Sequence, residues 1–170
     1  HRKSFDWGRK QQQWRIVSKD GYLYVFDLFS GTCTSAALYA LRRSKRVRVV
    51  CVDNGHTLEY IKKWIPSKYH DRILYIQQDI NERSHTKLLE LTKKRWPGAS
   101  WSSTVHVHAS PSCRSHSRAD RGLSRHRNSK GEPLSELARS DDQACAHAVS
   151  IMLAIRQEAP HALYTIENPE

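Results

Sequence analysis

Val25-Phe-Asp-Leu-Phe-Ser-Gly-Thr-Cys-Thr-Ser-Ala-Ala-Leu-Tyr-Ala-Leu41 carries an apolar run into a glycine and then into a stretch that favours a helix. Strand, turn and helix in that order form the geometry that holds a nucleotide-like ligand. Gly31 lets the backbone turn sharply and approach a ligand where a side chain would collide, and the helix that follows aims its free backbone amides at the same place. About twenty residues on, a second apolar run, Val47 to Val52, ends in Asp53, an acid placed to accept hydrogen bonds from both hydroxyls of a ribose. Two independent features thus predict one nucleoside-binding crevice.

Working outward, apolar runs alternate with helical periodicity. The pattern predicts strands at 22–28, 47–52, 73–77, 103–108 and 162–166, and helices at about 32–43, 57–64, 84–95 and 135–158. Strands that alternate with helices mean a parallel sheet covered on both faces. In the last helix Ser140, Asp141 and Asp142 suit an N-terminus, Ala144, Ala148, Ile151, Met152 and Ile155 make an apolar stripe, and Pro160 closes the element. Residues 1–20, polar and basic with Trp7 and Trp14, form an N-terminal arm, and residues 21–170 form one domain. Ser110 to Lys130, rich in Ser, Arg and His, is too long for an ordinary connection and predicts a functional loop.

The 170 residues are one domain's worth of chain, and 38% apolar residues supply a core. Against 17 acids stand 28 Lys and Arg, a formal charge of +11 that attracts polyanions at long range. Nucleic acid is the first candidate, and simple solubility is the alternative. Cys33, Cys51, Cys113 and Cys145 are irregularly spaced and form no Cys-x-x-Cys pair, which predicts reduced thiols in an intracellular compartment, nucleus or nucleoid and cytoplasm. No run approaches membrane-spanning length, and no membrane association is expected. The abrupt ends suggest a sheet incomplete at its C-terminus.

The order and content of these motifs resemble the catalytic region of class I S-adenosylmethionine-dependent methyltransferases, specifically the DNA cytosine carbon-5 methyltransferases, over Val25 to Pro169. The resemblance implies an α/β fold, a Rossmann-like doubly wound and mainly parallel sheet with helices on both faces. It implies that Asp27-Leu28-Phe29-Ser30-Gly31, with Thr32, wraps the methionine part of S-adenosyl-L-methionine. Asp53 and Asn54 would take the ribose position, Asp79 and Ile80 the adenine position, and Pro111 of Ser110-Pro-Ser-Cys113 would also line the cofactor. Ser110-Pro-Ser-Cys113 is similar to the family's Pro-Pro-Cys, and Glu167-Asn168-Pro169 to its Glu-Asn-Val. Five motifs in order, each at the carboxyl end of a predicted strand, lie where open α/β sheets bind their ligands.

Chemistry gives these residue types a reason to be together. Cytosine carbon-5 is too poor a nucleophile to take a methyl group unaided. In the family a cysteine thiolate adds to the neighbouring ring carbon while a glutamic acid engages the ring nitrogen, so Cys113 would be the nucleophile and Glu167 the acid. Arg114, His116 and Arg118 offer the positive surroundings that lower a thiol pKa. A target base would have to be flipped out of its duplex. The segment at about 110–134 would be a mobile basic loop in which Arg114, Arg118, Arg121, Arg125, Arg127 and Lys130 track phosphates.

Quieter explanations stand beside these. Asp27 and Asp53 can cap turns, Cys33 and Cys51 can be packing residues, Cys113 an inert thiol, Glu167 a surface carboxylate, and the basic loop a solvated connection. His106 and His108, on one face of a strand, can be imagined with Cys113 and His116 around zinc, but the spacing matches no established pattern and no metal is expected. The chain departs from the family at Cys33, Thr34, Ser112, Arg114 and Pro169, and it lacks the later motifs and the target-recognition region. Rival functions are an amino-methyltransferase acting on an exocyclic nitrogen of adenine or cytosine, and a non-catalytic module that binds nucleic acid or protein. DNA stands ahead of RNA as the substrate.

Overall fold

The computed structural model describes residues 20–31, 36–55, 63–80, 84–101, 105–109, 126–128 and 130–166. Five strands form one sheet: β1 Leu23–Leu28, β2 Val47–Asp53, β3 Ile73–Gln77, β4 Val105–Ala109 and β5 Leu163–Ile166. Every pairing is parallel, and the spatial order is β3-β2-β1-β4-β5. Among the described residues the helices described in full are α1 Ala36–Arg43, α2 His85–Arg95 and α3 Glu136–Glu158, with a 3-10 helix at Ser67–Arg72; the helix expected at about 57–64 lies mostly outside the described residues. This is the expected α/β, doubly wound arrangement. The strand boundaries fall within two residues of those the apolar runs predict, because valine and isoleucine crowd a helix but pack well on a pleated surface.

Strand periodicity divides the core in two. Tyr24, Phe26 and Leu28 of β1, Val50 and Val52 of β2, and Val105, Val107 and Ala109 of β4 pack with Leu88 and Leu89 of α2 and with Ala148, Ile151, Met152 and Ile155 of α3. Trp96 and Trp101 complete this layer, the Trp101 ring meeting Tyr24 edge-on at 5.3 Å and Phe26 at 5.9 Å. Val25, Val49, Cys51 and Ile73 point the other way and pack with Leu41 of α1, Ile65 and Tyr69. The alternation that assigns each residue to a face is the two-residue period of the strand.

Local signals fix the helix ends. The Ser84 hydroxyl caps α2 by accepting from the Lys87 amide at 3.3 Å. Helix α3 is capped by Ser135, whose hydroxyl accepts from Ala138 N at 3.2 Å. The helix spans Glu136–Glu158, matching the predicted 135–158, but Ser140, Asp141 and Asp142, read as suiting its N-terminus, lie more than one turn inside it. At the amino ends of the strands the Arg48 guanidinium stacks 3.6 Å from the Tyr22 ring, donates to the Tyr24 hydroxyl at 2.8 Å and pairs with Asp20 at 3.7 Å. Burial, reinforced by the hydrogen bond to Asp20, pushes the Tyr24 hydroxyl pKa far above its ordinary value. Among the described residues no helix is long and apolar enough to cross a membrane.

Candidate functional site

The chain leaves β1 toward β2 and β3 on one side, then returns to place β4 on the other. That reversal puts the topological switch point between β1 and β4, where doubly wound sheets open a crevice at the carboxyl ends of their strands. The β1 turn lies there. Its backbone is unusual at two places: Phe29 has φ of 61° and Gly31 has φ of 50°. The left-handed region is free to glycine but costs a phenylalanine roughly 1–3 kcal/mol, so neighbouring structure must hold Phe29 in place. Phe29 does pack against the α2/α3 core.

Asp53 is the main brace of this turn. One carboxylate oxygen accepts from the Gly31 amide at 2.8 Å and the other from the Gly55 amide at 2.7 Å. The backbone adds Ser30 N to Val52 O at 3.0 Å and Gln78 N to Asp53 O at 2.8 Å, joining the ends of β1, β2 and β3. An ionised carboxylate offers about four lone-pair positions, so each oxygen keeps one for a ligand. The turn-capping and hydroxyl-binding roles of Asp53 are therefore compatible. Two further features face a ligand: the Ser30 hydroxyl is buried with no hydrogen-bond partner among the described residues, and a side chain built on Gly31 would meet none of their atoms within 4 Å.

The other expected cofactor contacts are distributed unevenly. Asn54 is exposed immediately beyond Asp53, and Asp79 is half-buried beyond β3. Ile80 is 4% exposed and belongs to the core with Leu88. Asp27 is 2% exposed and lies in register with Cys51 on β2 and His108 on β4. Thr32, Pro111, Cys113, Glu167, Arg114, Arg118, Arg121 and Arg125 lie outside the described residues. Their strands do not: Ala109 and Ile166, the last residues of β4 and β5, are register partners. Pro111 and Cys113 follow the first of these ends, and Glu167 follows the second.

Beside Asp27 the sheet carries a polar patch that the sequence only half disclosed. His106 and His108 share a face, as their i, i+2 spacing predicts, and Thr165 lies across from His108 on β5. The Thr165 hydroxyl is 2.9 Å from His106 Nε2 and 2.9 Å from His108 Nδ1. A hydroxyl has one proton, so it donates to one ring nitrogen and accepts from the other. Burial, with the neighbouring His108, lowers the His106 pKa below its ordinary value. Among the described residues no three His, Cys, Asp or Glu side chains gather as a metal site.

Of the expected phosphate contacts, Lys130 is exposed, whereas Arg127 is half-buried and already engaged. Its guanidinium forks onto the Asp142 carboxylate, with Nη1 to Oδ2 at 3.1 Å, and also donates to Gly131 O at 3.0 Å. It ties the segment before α3 to the helix. The sequence did not point to a groove of about 240 Å3 between α3 and β5, lined by Val149, Met152, Leu153, Arg156, Tyr164 and Ile166. The signal was present in Leu153, outside the expected helical stripe and 58% exposed. No family model matches the chain, and no curated protein matches it.

Proposed function

We propose that this chain is an S-adenosylmethionine-dependent methyltransferase acting on nucleic acid, in the manner of the DNA cytosine carbon-5 enzymes. The observation that carries the proposal is the β1 turn: a strained Phe29, a Gly31 whose absent side chain would meet none of the described atoms, a Ser30 hydroxyl with no partner among the described residues and the Asp53 carboxylate meet at the switch point of a doubly wound sheet. These residues suit a charged nucleoside. Ser30 supplies a donor, Gly31 space where a side chain would otherwise stand, and Asp53 two acceptor positions for ribose hydroxyls. When bound, the cofactor supplies an electrophilic methyl group on a sulfonium sulfur.

The rest of the reaction falls to the segments after β4 and β5. Ala109 and Ile166 are register partners at adjacent strand ends, and in the sequence Cys113 follows the first and Glu167 the second, which supports a shared pocket. In this proposal the Cys113 thiolate adds to carbon-6 of a flipped cytosine, and Glu167 steadies the ring at nitrogen-3. Carbon-5 would take the methyl group as its bond to the sulfonium sulfur breaks, leaving the neutral thioether, S-adenosylhomocysteine; loss of the carbon-5 proton to solvent would then expel the thiolate and restore the ring.

The proposal is tested in two steps. Calorimetry is expected to show S-adenosylmethionine binding that weakens at least tenfold in Asp53→Ala, and no binding at millimolar cofactor would exclude the enzyme for this chain. With cofactor and DNA containing 5-fluorocytosine, a covalent adduct is expected that disappears in Cys113→Ala. Methyl transfer without an adduct would instead assign the chain to exocyclic amino groups.

A further inference from the structure

The carboxyl ends of the strands do not hold most of the described positive charge. Three segments carry it: Arg42–Arg46 between α1 and β2, Lys63–Arg72 leading into β3, and Lys93–Trp96 at the end of α2. Together they contain ten cations and a single carboxylate, Asp71. Hydrogen bonds join the three. Arg72 donates to Ser44 O at 2.7 Å and to Leu41 O at 3.1 Å, locking the 3-10 helix onto the α1–β2 turn. The Asp71 carbonyl accepts from Arg95 Nη2 and from Trp96 Nε1, each at 3.3 Å, locking the same helix onto the end of α2. The three basic segments thus adjoin near the amino ends of β2 and β3, the end of the sheet opposite the Gly31 turn.

Helix dipoles account for only part of it. Arg42 and Lys94 lie in last helical turns, where a cation is favoured. Lys45 and Arg46 lie in no helix, and Lys68 stands in the first turn of the 3-10 helix, where a positive charge is disfavoured. Like charges gathered this way repel one another in the free protein, a cost that a polyanion removes. Beside them Trp64 is 79% exposed, the most exposed large apolar side chain among those described. It precedes Ile65, which is buried against the α1 side of the sheet and whose carbonyl lies 2.9 Å from the His70 ring nitrogen. An exposed indole on a firm mount, with Lys63 before it and Lys68 four residues after it in the chain, is the kind of pairing that single-stranded nucleic acid uses: phosphates follow the cations while a base stacks on the ring.

We propose that this surface binds single-stranded nucleic acid, with Arg42, Lys45, Arg46, Lys68 and Lys94 on the phosphates and Trp64 stacked on a base. It does not rest on the methylation proposal, since it shares no residue with the cofactor turn. The test is fluorescence anisotropy with a labelled oligothymidylate of about a dozen nucleotides, without cofactor. The triple variant Lys45→Glu, Arg46→Glu, Lys68→Glu is expected to weaken binding at least tenfold and to flatten the log–log salt dependence by about 2, at about 0.7 for each phosphate no longer neutralised. Trp64→Ala is expected to cost about tenfold and Trp64→Phe much less. Matching glutamine variants and an unchanged Tm guard against misfolding. Wild-type affinity in the triple variant overturns the proposal, as does binding that only Arg114 and Arg118 substitutions remove. Duplex binding equal to single-strand binding and indifferent to Trp64 overturns the single-strand assignment. Charge-dependent capture by phosphatidylserine vesicles, with no effect of the variants on the oligonucleotide, assigns the surface to membranes instead.

Discussion

The two faces of the sheet are built from alternate residues of the same strands, yet they are buried in different ways. On the α2/α3 face every described residue from β1 and β4 is apolar or aromatic, and the layer is closed by Trp96, Trp101 and the stripe of α3. On the α1 face the apolar layer covers β2 and the first half of β1, then gives way to Asp27, His106, His108 and Thr165. One face is made to hold the molecule together. The other gives up packing at the switch point, where a ligand-binding sheet needs polar groups, and replaces it with hydrogen bonds.

Substitutions on the two faces should therefore fail in different ways. The largest effect is expected at Phe26, fully buried on the packing face: Phe26→Ala should cost about 3–5 kcal/mol in urea unfolding, enough to unfold a marginal domain. A loss below about 1 kcal/mol would mean that this face is loosely packed. Asp53→Ala comes next. It removes two charge-assisted hydrogen bonds, to Gly31 and Gly55, and should cost about 2–3 kcal/mol. Unlike the Phe26 change, it should also weaken nucleoside binding beyond what the stability loss explains; unchanged cofactor affinity in a folded Asp53→Ala would separate the acid from the site.

On the polar patch the effects become smaller and more specific. Thr165→Val keeps the shape of the side chain but removes the hydroxyl shared by His106 and His108, and should cost about 1–2 kcal/mol while Thr165→Ser stays near wild type. Nitrogen-detected NMR of the imidazoles should show one tautomer pattern in the native protein and mixed tautomers in the valine variant. A valine variant as stable as wild type would reduce the patch to a solvated surface.

Legibility in the sequence follows the same division. Strands such as Val47–Asp53 and the stripe of α3 are visible because burial imposes a period on apolar residues that neighbours along the chain reveal. Asp53 is visible as an acid at a strand end, but its grip on Gly31, 22 residues away, depends on strand pairing that no local pattern encodes. Arg127 reads as a phosphate contact for the same reason: Asp142, its partner 15 residues on, reads as a helix cap. Two serines, Ser135 and Ser140, each precede acidic residues; the helix starts at the first, where the Leu134 amide donates to His126 O at 2.7 Å and Pro133 bridges to Arg127, pairings that no local pattern encodes. The basic surface around Lys45 and Lys68 is hidden because its three segments, far apart in the chain, are brought together by long-range contacts such as those of Arg72 and the Asp71 carbonyl.

The smallest effect, and the sharpest for the two-face comparison, is the pH response of His106. Its folded pKa is lowered by burial first and by the charge of His108 second, so the folded protein holds this proton less tightly than the unfolded chain does. Between the unfolded value near 6.5 and the lower folded value, the unfolded chain therefore binds more protons, and acidification favours unfolding. Above that window the contribution is constant, and below the folded pKa the loss levels off. The shared hydroxyl sharpens the effect: if both facing nitrogens carry protons, Thr165 has to accept from both and its own proton loses its ring acceptor. The measurable consequence is a fall in Tm as pH drops below about 6.5 that His106→Gln makes shallower, with Phe26→Leu, on the apolar face, keeping the wild-type slope. Equal slopes in wild type and His106→Gln would show that the patch titrates like open surface, and the contrast between the faces would then be one of packing alone.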